Sequence, residues 1–181
     1  MASIVLAAGA AACLAILPDV GDRARLGLLV GAALLVQLRL LANLMDGMMA
    51  IEGGLQSPTG PLFNEIPDRI ADVLLLVAAG YAVTWVSWGE ALGWAAAVAA
   101  VLTAYVRLLG GSLGVSERFC GPMAKPHRMA VLTAACLLSM VEVAYGYEGR
   151  VLAVALLVIA AGSIVTFARR ARLIARDLKT Q

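Results

Sequence analysis

The chain has 181 residues, 62% of them hydrophobic and 14% charged, with a mean hydropathy of +0.90. Soluble domains average about half apolar and about a quarter charged residues, so this composition excludes an ordinary water-soluble globule. The formal net charge of +2 comes without a basic run that would suit nucleic acid, and Cys13, Cys120 and Cys136 lack the CxxC spacing of a zinc site or a disulfide framework.

The apolar runs approach the roughly 20 residues that a helix needs to cross a bilayer, and they lack the alternation of barrel strands. They predict an all-α integral membrane protein of six transmembrane helices, organised as a single domain over residues 1–181. The first span runs from about Ser3 to Leu17 and ends at Pro18; Met1-Ala2 ahead of it carry none of the positive charge of a signal peptide. The second runs from about Leu26 to Ala50, the third from Leu62 to Trp85, the fourth from Ala91 to Gly110 and the fifth from Met129 to Tyr145. The sixth covers Val151 to Phe167, with room to continue as a cytoplasmic helix through "ARRARLIARDLK".

Lysine and arginine set the orientation. Arg169, Arg170, Arg172, Arg176 and Lys179 follow the last span, and Arg118, Lys125 and Arg128 fall between spans four and five, with Arg107 near the start of that segment. The opposite loops carry only Arg23, Arg25 and Arg150. Both termini and the connection between spans two and three are therefore expected at the cytoplasmic face of the inner membrane, with Trp85 and Trp88 at the other interface.

That connection is the polar anomaly of the chain: "NLMDGMMAIEGGLQSPTGPLFNEIPDRIAD", from Asn43 to Asp72. Helical spacing puts Arg39, Asn43, Asp46, Gly47 and Ala50 on one stripe of span two, and Asn64, Asp68 and Asp72 on one stripe of span three. Gly53, Gly54, Pro58, Gly60 and Pro61 form a hairpin-like connection; Pro67 is tolerated if span three starts near Leu62 to Asn64, because the first turn does not need its N–H. Two helices then present facing oxygens just inside the boundary. Carboxylate and carbonyl oxygens suit Mg²⁺ or Mn²⁺, and ionisable groups inside a membrane segment carry function by default. Glu52, Glu65 and Arg69 read instead as a solvated helix end with a Glu65–Arg69 pair.

The spacing resembles the signature of the CDP-alcohol phosphatidyltransferase family, D-x2-D-G-x2-A-R-x8-G-x3-D-x3-D. The corresponding residues are Asn43, Asp46-Gly47, Ala50-Ile51, Gly60, Asn64 and Asp68, with every interval kept. Asparagines stand at the first and third aspartate positions, and Ile51 stands for the arginine. This paired exchange, Asp72 one turn further on, and Gly121-Pro122-Met123-Ala124-Lys125-Pro126-His127-Arg128 resemble a bacterial subgroup of the family with a GPM-x-K-x-x-R segment. The family's amphipathic segment before the first span is expected to be missing or replaced.

The resemblance implies a six-helix bundle, a homodimer, and a metal-dependent transfer of a substituted phosphate from a CDP-linked donor to an alcohol, with release of CMP. It implies Asp46 as a metal ligand, Asn43 and Asn64 as completing its shell, and Asp68 as ligand and as the base on the acceptor hydroxyl. The family site is pictured with two divalent ions among four aspartates; the carboxylates here balance one ion better than two. Asp72 is either a further ligand or a partner of Arg69 or Arg39. Gly47, Ala50 and Gly60 are expected to make room for the cytidine nucleotide, and Arg39 to meet a buried phosphate. Arg118, Lys125 and Arg128 read either as a loop touching anionic headgroups or as a pocket for an acceptor with phosphate or carboxylate. Tyr105 and Arg107 are further pocket candidates. His127 alone gives no metal or catalytic signal, Glu142 reads as interfacial, and Gly110 and Gly114 as helix packing.

The expected reaction is phospholipid synthesis from CDP-diacylglycerol and a small polar alcohol, phosphorylated or not. The alternatives are a CDP-alcohol donor acting on a lipid hydroxyl, a degenerate relative that binds nucleotide without turnover, and a transporter. Acids gathered at one surface speak against a route across the membrane. Ile51, Asn43 and Asn64 keep the degenerate reading open, whereas Asp46, Asp68 and Gly60 oppose it.

Overall fold

Six helices follow the hydrophobic runs in the computed structural model: α1 (Ala2–Ile16), α2 (Asp22–Glu52), α3 (Gly60–Tyr81), α4 (Gly89–Ser112), α5 (Lys125–Ala144) and α6 (Arg150–Thr180). The structure describes residues 2–52, 59–117 and 119–180, and their side chains except at 49–52, 61 and 180. Among the described residues there is no strand. Five of the helices are long and apolar enough to cross a membrane, so the molecule is a helical membrane protein. The exception is α3, which has the length, at 22 residues, but carries Glu65, Asp68, Arg69 and Asp72.

The boundaries differ from expectation in three places. Helix α2 starts one turn early, at Asp22, an acid suited to the positive end of a helix dipole. Helix α3 stops at Tyr81 rather than Trp85, and α5 starts one turn early, at Lys125 rather than Met129, while α6 continues through its arginines as the sequence allowed. Because α3 begins at Gly60, Pro67 lies inside it rather than in its first turn, and has no N–H to give the carbonyl of Phe63.

Helix α1 packs on α2 and α3, α2 on α5, α5 on α6, α6 on α4, and α4 on α3; the six close a ring, with α3 also touching α6. Small side chains let the backbones approach: Ala7, Ala10, Ala32, Ala71 and Ala79 have no exposed surface. The tightest crossing joins α3 to α4, where a Cβ on Gly80 would lie 2.7 Å from the Cα of Gly93. Gly110 likewise abuts Ile174 of α6, while Gly114 lies in a turn at φ +79° with open space around it, so only the first of these two glycines serves helix packing. Glu142, near the end of α5, is buried, and its Oε1 accepts the N–H of Val151 at 3.1 Å, in the first turn of α6.

Candidate active site

The alanine core gives way to charge where the C-terminal half of α2 meets the first half of α3 and the start of α5. Arg39 on α2 has no exposed surface, and Asp72 on α3 and Arg128 on α5 are each 1% exposed. Arg39 Nη2 donates to Asp72 Oδ1 at 3.1 Å and to Asp68 Oδ1 at 3.3 Å, while its Nη1 lies 3.2 Å from Met129 Sδ. Arg128 Nη2 donates to Asp72 Oδ2 at 2.7 Å, and its Nη1 reaches Thr103 Oγ1 and the carbonyl of Met123. Asp72 is thus a partner of Arg39, as one of the two readings had it, and of Arg128 as well.

Asp68 sits one turn nearer the surface. Asn43 Nδ2 donates to its Oδ1 at 2.9 Å, and Lys125 Nζ to its Oδ2 at 2.5 Å. The sequence residues Arg39, Asn43, Asp68, Asp72, Lys125 and Arg128 therefore form one connected cluster from three helices.

The segment before α5 explains how Lys125 and Arg128 reach it. Gly121 adopts φ +123° with its Cα against Thr166 of α6, where a side chain would collide. The N–H of Met123 donates to Thr166 Oγ1 at 2.9 Å, and the Met123 side chain lies on Gly162, with its Cε 2.8 Å from where a Cβ there would stand. Lys125 and Arg128, three apart at the start of α5, then share one face.

Beside Asp68 opens a cleft of about 230 Å³, walled among others by Glu65, Arg69, Arg107, Lys125, Arg128 and Arg170. Arg107 donates to Glu65 Oε1 and to Glu117 Oε2, each at 2.5 Å, and lies 4.9 Å over the Phe119 ring. Glu65 and Arg69 do pair, at 3.3 Å, but as walls of this cleft and not as a solvated helix end. Tyr105 is exposed and is not among the lining residues.

Arg170 is the residue that sequence reasoning missed, counted only as positive charge after the last span. Its Nε donates to the carbonyl of Cys120 and its Nη1 to that of Thr103, both at 2.8 Å. A signal existed: Ser163, Thr166 and Arg170 recur at helical spacing on one stripe of α6, and all three are buried.

Asp46, Asn64 and Gly47 lie toward the open side of the α2–α3 pair. Asp46 and Asn64 are exposed, and among the described residues Asp46 has no ion-pair partner. A Cβ on Gly47 would meet nothing within 4 Å, so packing does not demand glycine there. Gly60 opens α3. Arg118 and the side chain of Ala50 lie outside the described residues. Among the described residues no three His, Cys, Asp or Glu side chains gather as a metal-ligand group. The oxygens that fit a hard divalent ion are those of Asp46 and Asp68 with the amide carbonyls of Asn43 and Asn64; Asp72 is spent on its two arginines.

No family model matches the chain, and no curated protein matches it. Solved structures do. The Mycobacterium tuberculosis phosphatidylinositol phosphate synthase PgsA1 with CDP-DAG bound superposes with a TM-score of 0.74 at 19% identity, over 96% of this chain and 84% of that one. The same synthase in complex with manganese and citrate gives a TM-score of 0.72 at 18% identity, over 95% of this chain and 79% of that one. At such identity the likeness establishes a shared fold alone: the six-helix bundle expected from the motif has the same fold as that synthase.

Proposed function

We propose that the chain is an inner-membrane transferase of the CDP-alcohol phosphatidyltransferase kind, in the subgroup with asparagine at the first and third motif positions. It moves the phosphatidyl group of CDP-diacylglycerol to a small, negatively charged alcohol and releases CMP, with both termini and the cleft on the cytoplasmic side. One observation carries this reading: a cation-rich cleft opens onto Asp68, in a fold shared with a protein that holds CDP-DAG. Arg69, Arg107, Lys125, Arg128 and Arg170 outnumber Glu65 and Asp68 on its walls, and clustered positive charge with little water around it favours an anion.

The residues divide the work. Acyl chains stay in the bilayer, and the cytidine headgroup lies along the open side of α2 and α3 at Gly47 and Gly60. Arg39 and Lys125, both on Asp68, draw the donor's phosphate charge toward it, while Arg107 holds the acceptor's anion through charge-assisted hydrogen bonds. Asp68 accepts the proton of the acceptor hydroxyl. That oxygen forms the new bond to the phosphorus bearing diacylglycerol, and the bond from this phosphorus to the CMP oxygen breaks. A divalent ion, Mg²⁺ or Mn²⁺, held by Asp46, Asn43, Asn64 and Asp68, supplies charge neutralisation for the pyrophosphate and for departing CMP.

The test is product formation by purified protein in detergent, given CDP-diacylglycerol, Mn²⁺ and a panel of phosphorylated, carboxylated and neutral alcohols. A new phospholipid with one anionic alcohol, and CMP in equal amount, is expected. Equal turnover of neutral alcohols would remove the role of the cleft cations, and product only from a CDP-alcohol with diacylglycerol would reverse the donor.

A further inference from the structure

We infer that this site is built to take one divalent ion, with Lys125 and Arg39 as permanent cations of Asp68 where a second ion would otherwise be needed. The inference rests on the transferase reading, but it concerns the number of ions, which is measured without turnover.

The contacts of Asp68 carry it. Its Oδ1 accepts from Asn43 Nδ2 at 2.9 Å and from Arg39 Nη2 at 3.3 Å, and its Oδ2 accepts from Lys125 Nζ at 2.5 Å. Arg69 Nη2 stands 3.9 Å from Oδ2. A carboxylate offers about four lone-pair sites, so most of its capacity is taken by protein donors, two of them cationic. Asp72 is closed altogether: buried, with one oxygen on Arg39 and the other on Arg128. Of these three aspartates, Asp46 alone keeps a carboxylate without a cation among the described residues.

The asparagines fit the same arrangement. Asn43 gives Asp68 an N–H, which a carboxylate at that position cannot do; two carboxylates in contact repel unless a cation lies between them. Asparagine at 43 and lysine at 125 are two halves of one solution. One subtracts a negative charge and the other adds a positive one, both at Asp68. Arg39, Arg69, Lys125 and Arg128 already match Asp46, Glu65, Asp68 and Asp72 in number, Arg69 pairing with Glu65 at 3.3 Å. One divalent ion added to that balance is matched by the two negative charges of a pyrophosphate diester, whereas a second has no counter-charge.

The test counts Mn²⁺ on purified protein in detergent by electron paramagnetic resonance, from loss of the free-ion signal during titration. The expected result is one Mn²⁺ per wild-type chain, and two for Asn43→Asp combined with Lys125→Gln. Two ions on the wild-type chain, none at all, or an unchanged count of one in a folded double variant overturns the inference. Should the double variant fail to stay monodisperse, Lys125→Gln alone decides: it is expected to bind Mn²⁺ about tenfold more tightly, because a like charge has left the site, and unchanged affinity overturns the proposal. A chain that binds one Mn²⁺ yet forms no phospholipid defeats the transferase reading and leaves the ion count standing; a transferase with two ions does the reverse.

Discussion

Arg25 and Arg39 lie on the same helix, α2, one in its first turn and the other just past its middle, and their surroundings differ in kind. Arg39 is fully buried against Asp68, Asp72 and Met129, in a cluster that also draws on α5 and borders a cleft of about 230 Å³. Arg25 donates to the carbonyl of Leu17 at 3.1 Å and pairs with Glu148, so it ties the α1–α2 turn to the α5–α6 turn. Near it Arg150 lies 4.3 Å over the Tyr147 ring and 5.6 Å over that of Trp85. The cavity beside Arg25 is about 30 Å³, enough for a water but not for a substrate. Charge at one end fastens turns to each other; at the other it is gathered by several helices around room for a ligand.

Truncation separates the two ends most sharply. Asp72→Ala leaves Arg39 and Arg128 without their shared carboxylate and is expected to cost about 3–5 kcal/mol, whereas Glu148→Ala, at a half-exposed pair, is expected to cost less than about 1 kcal/mol. Chemical denaturation in detergent measures both, and equal losses would erase the distinction. Next in size is Arg107→Ala. It removes a charged hydrogen-bonding group worth about 1.5–3 kcal/mol from the cleft wall, so KM for the anionic acceptor should rise at least about tenfold while KM for CDP-diacylglycerol stays put. Steady-state kinetics checks this; a rise confined to the lipid donor would move the acceptor out of the cleft. The smallest effect belongs to Gly47→Ala. It should stabilise α2 by up to about 1 kcal/mol, since no atom stands in the way of the new Cβ, and weaken donor binding. Thermal unfolding and calorimetric titration with CDP-diacylglycerol test the two halves; gain in stability with no loss of affinity would mean that the nucleotide does not approach α2 there.

Much of this was legible in the sequence because hydropathy and helical spacing are local signals. The six runs marked the helices, and intervals of three and four placed Asn43, Asp46, Asp68 and Asp72 on facing stripes before any contact was seen. Lys125 and Arg128 could be linked to them only by motif resemblance, since nothing local says that α5 packs on α2. Arg170 shows the limit. Its role depends on the α4–α6 contact and on a turn pinned by Gly121 against Thr166, and pairwise packing of distant segments leaves no periodic trace. The capping role of Glu142 was hidden for a related reason: a carboxylate near a span end gives no local sign of the N–H it will accept, at Val151. Pro67 was misplaced because the start of α3 was set by hydropathy, and Gly60 begins the helix ahead of the apolar run.

The central claim is that the buried, cation-rich end is a transferase centre in which Asp68 acts on the acceptor. CMP release from CDP-diacylglycerol in a single turnover, wild type against Asp68→Asn, tests it most directly. The account predicts acceptor-dependent CMP from the wild-type chain, abolished by EDTA, and slowed by about 10²–10⁴-fold in the variant although the variant still binds the donor. A wild-type chain that binds CDP-diacylglycerol but releases no CMP with any acceptor, or an Asp68→Asn chain as fast as wild type, would contradict it.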